Sequence, residues 1–151
     1  LAVRFGGRVG TVAEAAACDI VCTSTPGGTP VVTRAMVRPG AHINAMGADA
    51  EGKQELESAL TASARVVVDD PAQALHSGEV NVPIHQGAFS ADAIVGGIGD
   101  VLSQRVVGRT SAADITMFDS TGLAVQDLAV ARIVLAHARA KGVGVALTLV
   151  G

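Results

Sequence analysis

Residues 65–71 have the sequence Arg-Val-Val-Val-Asp-Asp-Pro, and this stretch decides the fold class. Three consecutive β-branched residues favour a strand, and the Asp-Asp-Pro that follows ends it, because the residue before a proline disfavours the helical conformation. A valine run without polar alternation is typical of strands buried on both faces, as in parallel sheets. We therefore predict a buried parallel strand that ends in two acidic residues.

Three further strands are predicted, at residues 19–25, 41–46 and 114–118, and the first of them turns polar at its end. Helical segments separate the strands, and the longest is predicted over residues 123–140, with Gly142 as its C-terminal cap. Strands that alternate with helices at short spacing predict an α/β fold of three layers, with a mostly parallel sheet. Further predictions are helices over residues 50–62 and 91–103 and a strand over residues 143–150.

Composition narrows the class of protein. The chain has 151 residues, 49% hydrophobic and 17% charged, which is enough for one domain with a real core. A net charge of −3 without a basic stripe argues against a nucleic-acid partner, and no apolar run has the length of a membrane span. Cys18 and Cys22 suggest neither a disulfide framework nor a metal site, so we expect no metal and a reducing compartment, the cytoplasm.

Ligands of open parallel sheets bind beyond the carboxyl ends of the strands. The first strand exit, residues 23–28, contains hydroxyls and glycines that let a ligand approach the backbone, although an ordinary polar turn has the same composition. The acids at residues 69–70 are either helix caps or groups near a ribose. The exit at residues 118–123 is either a site for a phosphate or an amide or simply a capped helix start.

The exit after residue 44 contains Asp49, which has two interpretations. Because it precedes the predicted helix at residues 50–62, an N-cap is the more frequent use of an aspartate there. The alternative is a carboxylate at a cleft that acts as a general acid or base. Lys53, four residues further on, can form an ion pair with it.

An informative motif lies at residues 44–56, which have the sequence Asn-Ala-Met-Gly-Ala-Asp-Ala-Glu-Gly-Lys-Gln-Glu-Leu. This run resembles the ornithine cyclodeaminase/mu-crystallin family, which includes related bacterial and archaeal alanine dehydrogenases. Blocks at residues 68–79, 98–110 and 114–129 resemble the family in the same order. The wording Phe-Asp-Ser-Thr-Gly-Leu-Ala at residues 118–124 is closer to the alanine dehydrogenases than to the ornithine cyclodeaminases.

The resemblance implies an NAD-dependent oxidoreductase that acts on an α-amino acid or its imine. It implies that Asp49 is the catalytic acid or base and also contacts the substrate, and that Thr121 lies beside the substrate. The implied cofactor contacts are Thr23, Met46, Gly47, Ala48, Lys53 and Ser120.

The resemblance also implies a division of the chain. Residues 1–142 are expected to form a truncated Rossmann-like NAD-binding domain without its first strands. Residues 143–151 would be a terminal strand that in the family returns to a substrate and dimerisation domain.

The family's Gly-x-Gly-x-x-Gly loop has no counterpart here, since the nearest run, at residues 96–99, does not follow a predicted strand. The Arg and Lys that the family's N-terminal domain supplies to the substrate do not lie in these residues either. We therefore expect NAD binding to be weak and the chain alone to be inactive. Two alternatives stay open: a non-catalytic homo-oligomer, such as a dimer through an exposed edge or the terminal strand, and a half-enzyme completed by a partner chain.

Overall fold

The computed structural model describes residues 2–147 and divides the chain into two compact units, residues 1–121 and 122–151. The strands are β1 (Ile20–Thr23), β2 (His42–Ala45), β3 (Arg65–Val68), β4 (Gly96–Gly97) and β5 (Thr116–Asp119). The α-helices are α1 (Val12–Ala16), α2 (Ser58–Ser63), α3 (Pro71–Ala74), α4 (Asn81–His85), α5 (Ile98–Leu102) and α6 (Ala124–Lys141). Single turns of 3-10 helix cover Val3–Phe5, Arg34–Met36 and Ala91–Ala93.

The first unit contains a five-stranded sheet in the order β1-β2-β5-β3-β4. All four strand pairings are parallel, which confirms the predicted α/β class with a mostly parallel sheet. Register places Thr23, Ala45, Asp119 and Val68 in one row across the four longer strands. The chain leaves the sheet just after this row, and we call this side of the sheet the carboxyl edge.

One face of the sheet contains the core of this unit. Val21, Ile43, Val66 and Met117 are buried there at matching positions of β1, β2, β3 and β5. Helices α1, α2 and α3 contribute Ala16, Leu60 and Ala74 to the same cluster. The core therefore consists mainly of aliphatic side chains, as the low aromatic content predicts.

The helix predicted over residues 50–62 is wrong for its first half. Only Ser58–Ser63 is helical, and Gly52 has a positive φ of 76° that ends any helical path. The backbone N–H groups of Glu55 and Leu56 donate to the carboxylate of Glu79 instead of to helix carbonyls. A side chain distant in sequence thus replaces local helical hydrogen bonds.

The helix predicted over residues 91–103 is interrupted as well. Gly96, with φ at 153°, and Gly97 form the edge strand β4 beside Val67 and Val68. The Gly97 N–H then donates to the side chain of Asp100 at 3.1 Å, and this contact begins α5.

The second unit contains the longest helix, α6, which confirms the prediction over residues 123–140. Gly142 ends it with a left-handed φ of 62°. No residue of α6 is buried. The strand predicted over residues 143–150 is absent from residues 143–147, and its last three residues lie outside the described part of the chain.

Among residues 2–147, no helix combines the length and the hydropathy needed to cross a bilayer.

Candidate functional site

The carboxyl edge brings separate strand exits together. The Met46 N–H donates to the carbonyl oxygen of Thr23 at 3.0 Å, and the Ser120 N–H donates to that of Ala45 at 3.0 Å. Residues predicted from three different strands to contact a ligand therefore lie side by side. Their position agrees with the rule that open parallel sheets bind ligands at this edge.

A buried glutamate, Glu55, joins the loops that follow β1 and β2. Its carboxylate accepts hydrogen bonds from the Thr23 hydroxyl at 2.6 Å, the Thr25 N–H at 2.5 Å and the Gly47 N–H at 2.8 Å. Burial alone would raise the pKa of Glu55, but these three donors outweigh it and hold the pKa below its ordinary value. Glu55 is therefore an ionised, buried group that fixes both loops.

Gly47 is required at its position by this contact. A Cβ there would lie 2.5 Å from the Glu55 carboxyl group and 2.5 Å from the carbonyl oxygen of Thr25. Any side chain at residue 47 would therefore displace the glutamate that joins the two loops.

Asp49 lies further along the same loop and faces solvent. Its side chain is 61% exposed, and its carboxylate accepts a hydrogen bond from Lys53 Nζ at 2.5 Å, which confirms the predicted ion pair. The hydrogen bond from Lys53, together with its charge, lowers the pKa of Asp49. The capping interpretation is wrong, because no helix begins at residue 50. Asp49 is instead an accessible, ionised carboxylate.

On the other side of the edge, Asp69 connects the exits of β3 and β5. Its carboxylate accepts the Thr121 N–H at 2.8 Å, the Thr121 hydroxyl at 3.0 Å and the Ser120 hydroxyl at 3.2 Å. Both hydroxyl side chains are buried and oriented by this acid. Since a donating hydroxyl keeps its lone pairs, each oxygen can still accept a hydrogen bond from a ligand.

A second buried glutamate, Glu79, lies next to Glu55 in the interior. Its Oε1 accepts the Leu56 N–H at 2.7 Å, and both oxygens accept the Glu55 N–H at 3.0 Å. Burial raises the pKa of Glu79 to about 8, and the negative charges of Asp119 and Glu55 contribute to the rise. Glu79 is thus mostly protonated at neutral pH.

Asp119 completes a buried acid cluster with Glu55 and Glu79. Its carboxylate accepts the Glu79 N–H at 3.0 Å and the Val80 N–H at 3.2 Å. Burial raises the pKa of Asp119 to about 6, and the charge of Asp69 contributes. Within residues 2–147, no ion pair reaches any of the three acids of the buried acid cluster.

The predicted site residues differ in how they are presented. Met46 and Asp49 are exposed, and Gly47 and Lys53 are half-buried. The others are buried: Thr23, Ala48, Ser120 and Thr121. Because the Ala48 side chain enters the interior, any contact that this residue makes with a ligand would use its backbone.

Nothing in the sequence pattern predicts the buried acid cluster. Glu55 falls within the helix predicted over residues 50–62, where nothing in the local sequence indicates burial, yet the residue has no exposed surface. Glu79 lies between Gly78 and the apolar Val80, without a lysine or an arginine within four positions. An isolated acid in such surroundings is a signal for a buried carboxylate, although it does not identify the partner.

Metal binding finds no support in the described residues, where no three His, Cys, Asp or Glu side chains are grouped as metal ligands.

Comparison with known proteins gives consistent matches. A sequence model described as the ornithine cyclodeaminase/mu-crystallin family matches residues 7–142. The alanine dehydrogenase of Archaeoglobus fulgidus is 47% identical over 131 residues, which are 87% of this chain and 41% of that protein.

Solved structures of similar enzymes have the same fold over nearly the whole of this chain. An archaeal alanine dehydrogenase dimer with bound NAD superposes with a TM-score of 0.88 at 44% identity, over 95% of this chain and 45% of that chain. The Thermococcus litoralis Δ1-pyrroline-2-carboxylate reductase, in complex with NADH and L-proline, gives a TM-score of 0.88 at 26% identity, over 97% of this chain and 47% of that one. The chain therefore spans less than half the length of these relatives.

Proposed function

The chain belongs to the ornithine cyclodeaminase/mu-crystallin family, and on that premise we propose that it forms the nicotinamide side of the active site in an NAD-dependent oxidoreductase. The reaction interconverts an α-amino acid and its imine. The observation that carries the proposal is an exposed, ionised Asp49 in the loop that Glu55 connects to the exit of β1. Relatives solved with NAD or with NADH and L-proline support this assignment.

The carboxyl edge fits the nicotinamide and its ribose better than the phosphates. It presents hydroxyl groups that donate to Glu55 and Asp69, and the backbone at Gly28 is open, with no atom within 4 Å of a Cβ built there. The chain has no Gly-x-Gly-x-x-Gly run to bind the pyrophosphate. The proposed cofactor contacts are Thr23, Met46, Gly47, Ala48, Lys53 and Ser120. When bound, the nicotinamide ring exchanges a hydride with the α-carbon of the substrate.

Asp49 is the group proposed to move the proton. As the amine is oxidised to an imine, the nitrogen loses a proton that the Asp49 carboxylate accepts; in the reverse direction the same carboxyl returns it. Lys53 keeps Asp49 ionised and thus ready to accept. Thr121, oriented by Asp69, is proposed to lie beside the substrate.

A hybrid enzyme tests this function. Residues 7–142 would replace the matching segment of the Archaeoglobus fulgidus alanine dehydrogenase, and L-alanine-dependent reduction of NAD would be measured. We expect activity, and we expect Asp49→Asn to lower kcat by about 10²-fold or more while NAD binding persists. Asp92→Asn, at another exposed acid, is the matched control and should leave kcat unchanged. A hybrid that folds and binds NAD but has no activity would contradict the proposal.

The chain by itself is proposed to lack turnover. Without a Gly-rich loop the pyrophosphate has no backbone amides to bind it, so the affinity for NAD should be low. Calorimetry with NAD and an assay with L-alanine on the pure chain measure both properties. Specific amino-acid-dependent reduction of NAD by the pure chain would show that this expectation is wrong.

Self-association is a second proposal, favoured by two surfaces. Helix α6 exposes apolar side chains around its circumference, among them Leu128, Ile133 and Val134. Among the described residues, β1 has a partner on one side only, which leaves an edge that can pair. A relative in the same family forms a dimer. We propose that a second copy of the chain covers at least one of these surfaces.

Light scattering tests self-association. We expect twice the mass of one chain, and we expect Ile133→Glu to shift the mass towards that of a single chain if α6 is the interface. His137→Glu places the same charge at an exposed polar position of α6 and serves as the control. A single-chain mass for the unaltered protein would exclude self-association at the concentration used.

A reducing compartment, the cytoplasm, is proposed from the cysteines. Cys18 and Cys22 are both free and exposed. Exposed thiols persist in reducing compartments, whereas oxidising compartments favour disulfides. Fractionation of producing cells that recovered the protein outside the cytoplasm would contradict this location.

A further inference from the structure

The buried carboxyl group of Glu79 forms hydrogen bonds with backbone N–H groups rather than with side chains. Its carboxyl group accepts the N–H of Glu55 and the N–H of Leu56, and both donors lie in the segment where a helix fails to form. Buried N–H groups without an acceptor destabilise a fold strongly, so this segment needs an acceptor at the position that Glu79 occupies.

The segment that Glu79 binds begins with Glu55, whose own carboxylate faces the carboxyl edge. Glu55 accepts hydrogen bonds from Thr23, Thr25 and Gly47, so the position of its backbone decides where those groups lie. Displacement of the Glu55 backbone by even a fraction of an ångström would therefore move both loops.

Asp119 extends the same pattern towards the other side of the edge. It accepts the N–H of Glu79 and immediately precedes Ser120, whose hydroxyl donates to Asp69. The buried acid cluster thus connects the exit of β5 with the exits of β1 and β2. No apolar residue at these positions can provide this connection, because none accepts a hydrogen bond.

We propose that Glu79 is a positioning residue that fixes the Glu55–Leu56 backbone and, through Glu55, sets the geometry of the Thr23, Thr25 and Gly47 groups at the carboxyl edge. The inference deepens the proposed function, on which its catalytic purpose rests, but the positioning itself is a property of the fold. Glu79 contacts no reacting atom; it acts through Glu55.

What Glu79 supplies is acceptor capacity rather than charge. Burial keeps its carboxyl group mostly protonated at neutral pH, and the groups that face it with charge are Glu55 and Asp119, both acids. Glutamine has the same shape as a protonated glutamate and retains one carbonyl oxygen in the place of Oε1, which accepts both amides. Glutamine should therefore restore the function that alanine loses.

Amide hydrogen exchange on the pure chain tests the positioning. In Glu79→Ala, the Thr25 and Gly47 amides should exchange about tenfold faster or more, whereas the Thr116 amide, bonded to Ala41 at the opposite end of the sheet, should exchange as before. Glu79→Gln should retain protection at both loop amides. Leu60→Ala is the matched control, since Leu60 is equally buried but lies outside the acid cluster.

The outcomes separate clearly. Selective acceleration at Thr25 and Gly47 in Glu79→Ala, with rescue by Glu79→Gln, supports positioning. Uniform acceleration of all amides, as Leu60→Ala should give, would mean that Glu79 serves the fold as a whole and would overturn the proposal. If Glu79→Ala does not fold, the exchange of Glu79→Gln is compared with that of Glu79→Leu at low temperature. Equal exchange rates of the Thr25 and Gly47 amides in these two variants would overturn the proposal.

The test also separates this inference from the proposed function. In the hybrid enzyme, Glu79→Ala should lower kcat more than it raises the KM for NAD, and Glu79→Gln should restore kcat. An inactive hybrid with the expected exchange pattern would refute the proposed function and leave the positioning intact. An active hybrid whose kcat is unaffected by Glu79→Ala would refute the positioning alone.

Discussion

Two carboxyl groups of this chain, Asp49 and Glu79, have opposite environments although both belong to the loops of one sheet edge. Asp49 faces solvent, pairs with Lys53 and has a lowered pKa. Glu79 has no exposed surface, binds backbone amides and has a pKa raised to about 8. The first is a charge available to a ligand, whereas the second is a hydrogen-bond acceptor available only to the fold.

The difference teaches how an open edge can be both reactive and rigid. An accessible acid lies on a solvated surface loop, and such loops are more mobile than the elements they connect unless other contacts fix them. Glu55 and Glu79 fix these loops from the interior, because their carboxyl groups accept hydrogen bonds from backbone N–H groups. Substitutions in each environment test this division, and those at the buried acids should change stability more than those at the exposed pair.

A side chain added next to the buried acid cluster should destabilise the fold most, because it would overlap with one of the acids. In Gly78→Ala, the new Cβ would lie 2.5 Å from Asp119 Oδ2 and 3.0 Å from the Ala74 carbonyl oxygen. We expect a loss of about 3 kcal/mol in the free energy of unfolding, measured by urea denaturation. Gly28→Ala, where no atom lies within 4 Å of a Cβ, is the control and should change the free energy by less than about 0.5 kcal/mol. Equal losses in both variants would contradict the crowding at Gly78.

Glutamine substitutions distinguish the two buried glutamates. Glu55 is ionised and uses both oxygens for three donors, so Glu55→Gln turns an amide N–H towards a donor and should cost about 2 kcal/mol. Glu79→Gln should cost less than about 1 kcal/mol at neutral pH, because one oxygen already accepts both amides. Denaturation curves of the two variants at the same pH provide the comparison. The reverse order of losses would refute the assigned protonation states.

The stability of the fold should depend on pH because the buried acids have shifted pKa values. The folded state keeps a proton on Glu79 up to about pH 8, from an ordinary pKa of 4.5, and on Asp119 up to about pH 6, from 3.8. Because the unfolded chain releases these protons earlier, stability should fall as the pH rises through this window. Glu55 has a lowered pKa and acts oppositely, since its contribution is lost as the pH falls below its ordinary 4.5.

Thermal denaturation from pH 4 to pH 9 measures this profile. We expect a maximum near pH 5 and a decline of several degrees above it. Glu79→Gln removes one titrating group and should flatten the decline between about pH 6 and pH 8. A Tm of the unaltered chain that is constant or rises across that range would be inconsistent with a protonated Glu79.

The exposed pair should contribute least. Asp49→Asn and Lys53→Gln each remove the ion pair, but solvent screens exposed charges, so neither should produce a resolvable change in Tm. The same Asp49→Asn change should nonetheless impair the hybrid enzyme. A clear fall in Tm would indicate that Asp49 stabilises the fold, and this result would contradict the difference in role between Asp49 and Glu79.

Local sequence predicts the sheet well for a physical reason. The runs at residues 19–25, 41–46, 65–70 and 114–118 correspond to β1, β2, β3 and β5, because β-branched and apolar residues determine strands through short-range preferences. The family signatures and the position of the strand exits follow from the same local stretches. The roles proposed for Asp49, Thr23 and the other exit residues stay predictions.

The failures have a common cause in long-range contacts. The Leu56 and Leu60 spacing fits a helix, and both residues do enter the core, yet Glu79 binds the backbone amides of Glu55 and Leu56. Likewise Gly96 and Gly97 pair with β3, which lies some thirty residues earlier in the chain. No periodicity within a single segment contains that information.

The use of backbone amides by the buried acid cluster has a consequence for the evolutionary record. Six of its donors are main-chain N–H groups, at Thr25, Gly47, Glu55, Leu56, Glu79 and Val80, and every residue except proline provides one. Except at Gly47, where a side chain would displace Glu55, a substitution of the donor residue therefore leaves its N–H in place. No mutation of a donor can compensate for the loss of the acceptor. We expect alignments of homologous chains to show fixed acids at Glu55 and Asp119 and glutamate or glutamine at residue 79, all without covarying partners. Contact maps inferred from covariation would therefore omit the interactions that connect the three loops.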